Sequence, residues 1–280
     1  MSTRAARGFL EVMSATSHAR AARVARGDVP GLVRRARARP APPPLVLAPR
    51  GFDLLAEVKF ASPALGRLAP APSATAAAAQ ARRYAAGGAA ALSVLTEPTR
   101  FRGALAHLAG VTGAVDVPAL RKDFLVDPVQ VVQARAAGAA GVLLVLRLVD
   151  EEGLARLLDA AGAHGLFALL EAFDSADLER AARALERFRG LTLLVGVNAR
   201  DLTTLAVERE RHLALARELP PGAPAVAESG LETPAEVAAV AAAGYRLALV
   251  GGALMRAPAP EELVQELLLA GRAAAAGRRA

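Results

Sequence analysis

The stretch LLAEVK, residues 54–59, is a short apolar run that ends in a carboxylate and an amine two residues apart. Side chains at positions i and i+2 of a β-strand point to the same side, so Glu57 and Lys59 are predicted to share one face at a strand end. For this hexapeptide alone, a surface ion pair is the alternative interpretation. The pattern of the remaining chain decides between the two.

From this stretch onward, short apolar runs alternate with longer segments of helical character. The apolar runs predict strands at 54–59, 90–96, 118–123, 141–146, 167–172, 193–198, 224–229 and 247–252. The other segments predict helices at 73–86, 103–110, 128–137, 150–163, 175–187, 208–218, 233–243 and 260–270. The strands are apolar on both faces, as in parallel strands that helices cover. Eight such units predict an α/β fold with a single (β/α)8 TIM barrel.

An open, doubly wound sheet is the alternative arrangement of alternating strands and helices. Such a sheet normally has fewer strands, or a glycine-rich dinucleotide-binding turn after its first strand. Neither feature is present, since no G-x-G-x-x-G motif follows Lys59. The barrel is therefore the predicted fold.

The N-terminal part of the chain carries the positive charge. The 280 residues have a formal net charge of +7, and residues 1–50 hold ten arginines against two acidic residues. Residues 8–26 have apolar positions at helical spacing, and the prolines of 37–51 predict an extended connector. We predict an N-terminal helical extension with a Pro-rich connector at 1–50 and a barrel catalytic domain at 51–280.

Composition narrows the classes of function. The chain has no cysteine and 4 histidines, which excludes disulfides and thiolate metal sites and disfavours a His-rich metal site. No apolar run reaches the roughly 18 residues that span a bilayer, and the N-terminus lacks the apolar region of a secretory signal. We therefore expect a cytoplasmic protein without a membrane partner. The N-terminal arginines have few aromatic neighbours, which favours a solvated helix over a nucleic-acid site.

Polar residues follow the apolar runs at the carboxyl ends of the predicted strands, where barrel enzymes hold their active sites. They are Glu57, Lys59, Ser93, Lys122, Glu171, Asn198, Arg200, Glu228, Ser229, Gly251 and Gly252. Burying such charges is costly unless they are paired, so barrel stability alone does not explain them. The set predicts an active site that works by lysine and glutamate acid–base chemistry without a metal.

The two lysines of this set have two candidate roles. A lysine near other cations in a dry mouth is expected to have a lowered pKa, and a neighbouring glutamate is expected to stay ionised. The pair would then supply a proton donor and an acceptor near neutral pH. A Schiff base formed by Lys59 or Lys122 is the alternative on chemistry alone.

Glycines near the end of the chain predict a phosphate site. Gly230 follows the seventh predicted strand, and Gly251 and Gly252 end the eighth, before a short helical stretch at 253–255. Glycines let backbone N–H groups approach an anion, and barrels often bind phosphate between strands seven and eight. Simple turn glycines are the alternative interpretation.

Motifs at every predicted strand resemble the indole-3-glycerol phosphate synthase family. They are L-L-A-E-V-K-x-x-S-P (54–63), L-S-V-L-T-E (92–97), L-R-K-D-F-x-x-D-P-x-Q (120–130), G-V-L-L-V (141–145), L-L-E (169–171), V-G-V-N-A-R-D-L-x-T (195–204), V-A-E-S-G (226–230) and L-V-G-G-A-L-M-R-A-P (249–258). The N-terminal helix is similar to the extra helix that caps the barrel in that family. The resemblance implies a carboxy-lyase of tryptophan biosynthesis. It would close the ring of 1-(2-carboxyphenylamino)-1-deoxyribulose 5-phosphate, then decarboxylate and dehydrate it to indole-3-glycerol phosphate.

The resemblance also implies catalytic roles. Lys122 would be the general acid that activates the ketone, and Glu171 and Lys59 would make the proton transfers of dehydration. Glu57 would set the charge state of Lys59. Asn198 is counted with these catalytic residues and also helps to position the substrate. No cofactor and no metal are implied, and the expected partner is the phosphorylated small molecule, bound by a monomer without nucleic acid.

Binding residues follow from the same resemblance. Contacts to the hydroxyl and carboxylate groups of the substrate are implied for Arg200, Glu228 and Ser229, and Ser93 is counted with the substrate-binding residues. The apolar pocket for the anthranilate ring is implied for Pro63, Phe101, Phe124, Leu143, Val145 and Leu202. Phosphate binding is implied for Ser62, Gly230, Gly251 and Gly252, with Lys59 nearby.

The chain departs from the family pattern at several positions. Ala64 stands where a serine is usual, Ala172 and Phe173 replace a small or polar pair, and Gly252 stands where Ser or Glu is common. A divergent paralogue acting on another phosphorylated sugar or ketose is therefore an alternative. A phosphoribosylanthranilate isomerase-like enzyme is disfavoured because that activity usually needs a cysteine. A non-catalytic or RNA-associated barrel is disfavoured by the charges at the mouth.

Overall fold

The computed structural model describes residues 8–49, 51–68, 71–202 and 204–277. Eight parallel strands close into a barrel in chain order, so the predicted TIM barrel is confirmed. The strands are Asp53–Val58 (β1), Ala91–Leu95 (β2), Ala119–Lys122 (β3), Gly141–Val145 (β4), Phe167–Ala172 (β5), Leu193–Asn198 (β6), Ala225–Glu228 (β7) and Leu247–Val250 (β8). Several end a residue or two before the predicted limit, and Lys59, Asp123 and Ser229 lie just beyond the ends of β1, β3 and β7.

In the described residues a helix follows each strand as predicted, and three more helices are N-terminal or short. They are Phe9–Ala25 (α1), Val29–Ala38 (α2), Ala74–Ala86 (α3), Leu105–Thr112 (α4), Pro128–Ala136 (α5), Glu151–Ala163 (α6), Ser175–Arg187 (α7), Glu210–Leu215 (α8), Pro234–Ala243 (α9), Gly252–Arg256 (α10) and Pro260–Gly277 (α11). Capping boxes start α5, at Asp127 and Gln130, and α9, at Thr233 and Glu236. The predicted helix at 208–218 is shorter, because its last residues form a 3-10 turn. No helix in the described ranges is long and apolar enough to cross a membrane.

The strand alternation places the mouth residues on the inner face of the barrel. In β1, Leu54, Ala56 and Val58 pack outward in the core shared with the helices, whereas Leu55 belongs to the inner cluster. Glu57 lies two residues beyond Leu55, on the inner side. The same step leads from inner residues to mouth residues in other strands, namely from Leu120 to Lys122, from Leu169 to Glu171 and from Val226 to Glu228. The inward direction predicted for Glu57 in β1 is thus repeated by Lys122, Glu171 and Glu228 in three other strands.

The N-terminal extension holds a second helix that the sequence did not predict. Asp28 caps α2, and Pro30 lies in its first turn, where a missing N–H costs nothing. Because α2 runs to Ala38, the extended connector begins at residue 39, later than the predicted residue 37. Buried residues of α2 pack against α5. Residues 1–7 and 50 of the predicted extension, and 69–70, 203 and 278–280 of the predicted barrel, lie outside the described residues.

A short hairpin follows β1 and extends over the mouth. Ala61–Ser62 pairs antiparallel with Gly66–Arg67. Gly66 has a φ of 67°, a left-handed conformation that glycine adopts without strain. The tip of the hairpin, residues 63–65, lies against the cavity described next.

Candidate active site

A cavity opens at the carboxyl ends of the strands, and nearly all residues predicted from the sequence line it. They are Glu57, Lys59, Ser62, Pro63, Phe101, Lys122, Phe124, Leu143, Val145, Glu171, Asn198, Arg200, Leu202, Glu228, Ser229, Gly230, Gly251 and Gly252. Ser93 is the exception, because it pairs in register with Glu57 and lies fully buried, without lining the cavity. The structure therefore brings together residues from every strand or the loop after it, and β2 contributes Leu95 and, through its loop, Phe101.

Lysines and glutamates form ion pairs at the centre of the cavity. The Nζ of Lys122 donates to Oε2 of Glu228 at 2.8 Å and lies 3.7 Å from Oε1 of Glu171. The Nζ of Lys59 lies 2.7 Å from Oε1 of Glu57. All three carboxylates are buried. Paired and nearly dry, these groups have the geometry that acid–base chemistry requires.

The protonation of this cluster differs from the sequence expectation. Burial lowers the pKa of Lys122, but the carboxylates of Glu228, Glu171 and Glu57 outweigh burial and hold that pKa above its usual value. The expected lowering of the lysine pKa was therefore wrong for Lys122, since carboxylates from three strands surround it. Burial raises the pKa of Glu228 to about 7, against the effect of the Lys122 ammonium. At neutral pH this cluster thus pairs a protonated lysine with a carboxyl group that titrates.

The pKa of Glu57 shifts in the opposite direction from that of Glu228. Burial raises the pKa of Glu57, but the Lys59 and Lys122 ammonium groups outweigh burial and hold it below its usual value. Burial lowers the pKa of Arg200, and Glu57 opposes this effect. Asn198 links the two sides of the cluster, because its Nδ2 donates to Glu171 and its Oδ1 accepts from the backbone N–H of Arg200 at 2.9 Å. Glu57 is thus ionised in the pH range where Glu228 titrates.

Two glycines make room for the buried carboxylates. A Cβ on Gly251 would lie 2.3 Å from Oε1 of Glu57, and one on Gly196 would lie 2.0 Å from Oε1 of Glu228. Real Cβ atoms do not approach an oxygen so closely, so any larger residue would displace the carboxylate. The Oε1 of Glu228 has no hydrogen-bond partner among the described residues. It lies buried against Gly196 of β6, so its burial contributes to the raised pKa of Glu228.

Apolar side chains form one end of the cavity, which we call the ring end. Phe124 packs edge to face on Phe9 of α1, with ring centroids 5.9 Å apart, and lies 6.2 Å from the Phe101 ring. Leu143 and Val145 of β4 complete this wall. The size and shape of an aromatic wall such as this suit a planar ring.

The N-terminal helix is fastened to the ring end by a buried ion pair. The Arg20 guanidinium of α1 donates two hydrogen bonds of 2.8 Å to the Asp123 carboxylate. Asp123 also accepts from Thr96 at 2.8 Å and from Arg121 at 2.9 Å. Burial raises the pKa of Asp123, but Arg121 and Arg20 outweigh it and hold that pKa well below its usual range. Ser17 of α1 donates to the Phe124 carbonyl, so the segment after Lys122 is held at two points.

The opposite end of the cavity, which we call the anion end, is formed mainly by backbone. Ser229 and Gly230 follow β7 in left-handed conformations, with φ of 67° and 77°. Gly252 begins α10, and a Cβ there would lie 3.0 Å from Cδ1 of Leu65 in the hairpin. The Ser62 hydroxyl accepts from the Leu65 N–H at 3.0 Å. Small residues leave the backbone N–H groups of these loops open to a ligand.

Departures from the family pattern lie in different places. Ala64 and Gly252 line the cavity, so they alter the anion end. Phe173 instead packs in the inner cluster, with the Arg147 guanidinium 4.9 Å from its ring centroid, and it does not line the cavity. In the described residues no group of three or more His, Asp or Glu side chains is arranged to hold a metal ion.

Some cavity residues were missed by sequence reasoning. They are Phe9, Ala64, Leu65, Leu95, Asp123, Leu205, Leu231, Glu232, Leu249 and Ala253. Two sequence signals pointed toward the site. Arg20 stands on the apolar face of the first predicted helix, which indicates a buried acidic partner. Lys59 and Lys122 are also the only two lysines of the chain, whose other basic residues are all arginine. A compact amine that transfers a proton is a role that arginine does not fill.

Comparison with known proteins finds matches to one family. The family model described as indole-3-glycerol phosphate synthase matches residues 32–267. A protein of that name from Nocardioides sp. is 46% identical over 217 residues, which cover 78% of this chain and 80% of that protein. Another from Micrococcus luteus is 44% identical over 217 residues, which cover 78% of each.

Solved structures with similar barrels are more distant in sequence. The 3-hexulose-6-phosphate synthase from Salmonella typhimurium has a TM-score of 0.61 at 15% identity, covering 78% of this chain and 98% of that one. The thiamine phosphate pyrophosphorylase from Pyrococcus furiosus has a TM-score of 0.56 at 17% identity, covering 80% and 98%. At such identities the likeness supports the fold alone.

Proposed function

The chain belongs to the indole-3-glycerol phosphate synthase family, and we propose how the residues of its barrel mouth divide the work of that reaction. It is a decarboxylating lyase of tryptophan biosynthesis that acts on a phosphorylated small molecule. The aromatic ring of 1-(2-carboxyphenylamino)-1-deoxyribulose 5-phosphate attacks the ketone, carbon dioxide leaves, and loss of water gives indole-3-glycerol phosphate. The reaction needs an acid at the ketone oxygen, then an acid and a base for dehydration.

Lys122 is the general acid in this proposal. The observation that carries it is the position of its Nζ between Glu228 and Glu171, at 2.8 and 3.7 Å. These carboxylates keep the amine protonated, and its pKa lies above the usual value. An ammonium in this setting can give its proton to the ketone oxygen as the ring carbon bonds to the ketone carbon.

Glu171 and Lys59 make the proton transfers of dehydration in this proposal. The substrate hydroxyl leaves as water when Lys59 protonates it, and Glu171 removes the proton from the adjacent carbon, which completes the aromatic indole. Glu57 lies 2.7 Å from the Lys59 amine and so holds it in place. Asn198 donates to Glu171 and thereby orients the carboxylate. This division is supported by the positions of the two amines, because Lys59 pairs with Glu57 whereas Lys122 lies between Glu228 and Glu171.

The two ends of the cavity hold the two ends of the substrate. Phe101, Phe124, Leu143 and Val145 of the ring end would contact the anthranilate ring, with Pro63 and Leu202 beside them. Arg200, Glu228 and Ser229, which line the cavity, would contact the hydroxyl and carboxylate groups. Ser62, Gly230, Gly251 and Gly252 of the anion end would hold the phosphate. Ser93 has no place in this assignment, because it does not line the cavity.

Turnover of the carboxyphenylamino substrate tests the proposal, with the indole product followed by fluorescence. Lys122→Arg keeps the positive charge but replaces the amine by a guanidinium that holds its proton, so we expect kcat to fall by roughly 10³-fold. Far-UV circular dichroism should show an unchanged fold. A variant with kcat within threefold of the unmodified protein would contradict the role of Lys122.

The Schiff-base alternative is tested on the same protein. With two lysines in the chain, borohydride reduction in the presence of substrate and mass analysis of the peptides can detect adducts at Lys59 and Lys122. We expect no adduct. A reduced adduct on either lysine would replace the acid–base assignment with covalent catalysis.

We also propose that the chain works as a cytoplasmic monomer without a nucleic-acid partner, with an extension at 1–50 and a catalytic domain at 51–280. The cavity already contains the acids, bases and binding residues that the proposed reaction uses, so the reaction needs no residue from a second copy. In the extension, Arg20 is bound to Asp123, whereas Arg23 and Arg26 are solvent-exposed. Light scattering checks the oligomeric state, and salt-dependent retention on RNA checks the exposed arginines.

A further inference from the structure

The turn after β2 contains a buried carboxylate that the proposed reaction does not use. Glu97 is 0% exposed and lies between the end of β2 and Phe101, which lines the ring end. It closes the L-S-V-L-T-E motif. A buried carboxylate is costly unless its oxygens are satisfied, so its partners indicate what it does.

The Glu97 carboxylate holds the turn that carries Phe101. Its Oε1 accepts from the backbone N–H and the hydroxyl of Thr99, at 2.9 and 2.6 Å. Its Oε2 accepts from the backbone N–H groups of Arg100 and Phe101, at 2.7 and 3.2 Å. Hydrogen bonds to an ionised acceptor are stronger than neutral ones. The carboxylate therefore binds three successive residues of the turn, the last of which is Phe101 itself.

The backbone of this turn does not follow local preference. Arg102 has a φ of 54°, in the left-handed region that a non-glycine residue rarely adopts. A Cβ on Gly103 would lie 2.5 Å from the Leu95 carbonyl oxygen, so the chain passes very close to the end of β2. Such a conformation persists only where the surroundings hold it. The bonds to Glu97 are the contacts that hold it on the N-terminal side.

The same region links Glu97 to the anchor of the N-terminal helix. The Arg20 guanidinium, bound to Asp123, also interacts electrostatically with Glu97. Asp123 accepts from the backbone N–H of Phe124 at 2.8 Å. Each of two adjacent phenylalanines of the ring end is thus held through its own N–H by a buried carboxylate.

We propose that Glu97 is a positioning residue, which fixes the Phe101 side of the ring end and so determines how tightly the aryl group of the substrate is held. The inference rests on the proposed function, because it assigns the ring end to the aryl group. Glu97 acts through Phe101, and it does not contact the substrate.

Glu97→Gln tests this proposal with the shape of the side chain retained. One carboxylate oxygen becomes an NH2 group, which faces N–H donors and repels them. We expect KM for the carboxyphenylamino substrate to rise about tenfold, since several bonds of the turn are lost together. The inhibition constant of inorganic phosphate, which reports the anion end, should not change. A purely structural role would lower stability without separating these two constants.

A double-mutant cycle with Phe101→Ala shows whether Glu97 acts through Phe101. We expect the double variant to have the KM of Phe101→Ala alone. Effects that multiply, or an unchanged KM in Glu97→Gln, would overturn the proposal. Thr99→Val, on the exposed side of the turn, removes only the hydroxyl donor and should raise KM two- to threefold even if the Glu97 variant does not fold. Failure of the proposed function is recognised separately, because the unmodified protein would then be inactive.

Discussion

The ring end and the anion end of one cavity are built in different ways. At the ring end, Phe9, Phe101 and Phe124 are side chains held in place by buried carboxylates and by α1. At the anion end, the wall is the backbone of glycine-rich loops, with the hairpin leaning over it. A flat, apolar group needs a wall of shaped side chains, whereas an anion needs exposed N–H groups and little else.

The difference in construction has an energetic consequence. The ring end depends on contacts between residues far apart in sequence, such as Arg20 and Asp123, which are 103 positions apart. The anion end depends on local backbone conformation and on the absence of side chains. Loss of one buried ion should therefore unfold or loosen the ring end, whereas the anion end should tolerate loss of its exposed ion pairs.

Asp123→Asn should give the largest effect. The variant leaves Arg121, which is 3% exposed, without its anionic partner, and it removes the anchor of Arg20. Breaking a buried pair in this way costs about 3–5 kcal/mol of the free energy of unfolding. Urea unfolding measures this as a lower midpoint. The pKa of Asp123 is held low in the folded state, so the difference should be complete at neutral pH and shrink below pH ~4.

The matched control lies at the anion end. Glu232 pairs with Arg256 at 3.1 Å, and both side chains are more than 40% exposed. Because exposed pairs contribute little, Glu232→Gln should change the free energy of unfolding by less than about 1 kcal/mol. Equal losses in the two variants would show that the two ends do not differ in the way described.

Gly251→Ala should have the next largest effect, on catalysis. The new Cβ would lie 2.3 Å from Oε1 of Glu57 and would push that carboxylate away from Lys59. We expect kcat to fall by about 100-fold, a typical loss for a displaced acid–base pair. The comparable change Gly190→Ala meets nothing within 4 Å and should leave kcat unchanged. Full activity in Gly251→Ala would mean that the glycine serves the anion alone.

The pH dependence of kcat/KM tests the group that joins the two ends. Glu228 ends β7, next to the anion end, but its carboxylate pairs with Lys122 of β3. As pH falls through about 7, Glu228 takes up a proton and loses the charge that holds Lys122. We expect kcat/KM to fall up to about tenfold on the acid side. Glu228→Gln cannot ionise and should lack this limb, whereas the titration of the substrate phosphate remains in both proteins. An unchanged limb in the variant would assign it to another group.

The sequence predicted that the residues of the anion end and of the charged cluster lie at the barrel mouth, because their signals are local. Strand alternation places Glu57 beside Lys59, and glycines after two strands mark an open backbone. The ring end was predicted only in part. Phe101 and Phe124 came from the family resemblance, but Phe9 and the anchor of Arg20 depend on where α1 packs. No pattern within α1 specifies the docking site.

The sequence also could not show which inner residues reach the cavity or how the pKa of Lys122 shifts. Ser93 stands on the inner face of β2 in register with Glu57, yet its short side chain is fully buried and does not line the cavity, whereas the longer Glu57 does. The pKa of Lys122 rises because Glu57, Glu171 and Glu228 converge on it from three strands. Their number and distances follow from closure of the barrel. The sequence shows which residues have inner positions, and the structure shows which of them meet.

Gly252→Ser should have the smallest effect, and it concerns the departure at the anion end. A Cβ there would lie 3.0 Å from the flexible end of Leu65, whose side chain is 44% exposed and free to shift. The serine hydroxyl then adds one donor toward the phosphate. One hydrogen bond contributes about 1 kcal/mol, so we expect KM to fall roughly fivefold. Leu65→Ala opens the same space without a donor and should not lower KM. An equal fall in both variants would show that Leu65 obstructs the phosphate and that the missing hydroxyl has no effect. The anion end would then be limited by a side chain, as the ring end is.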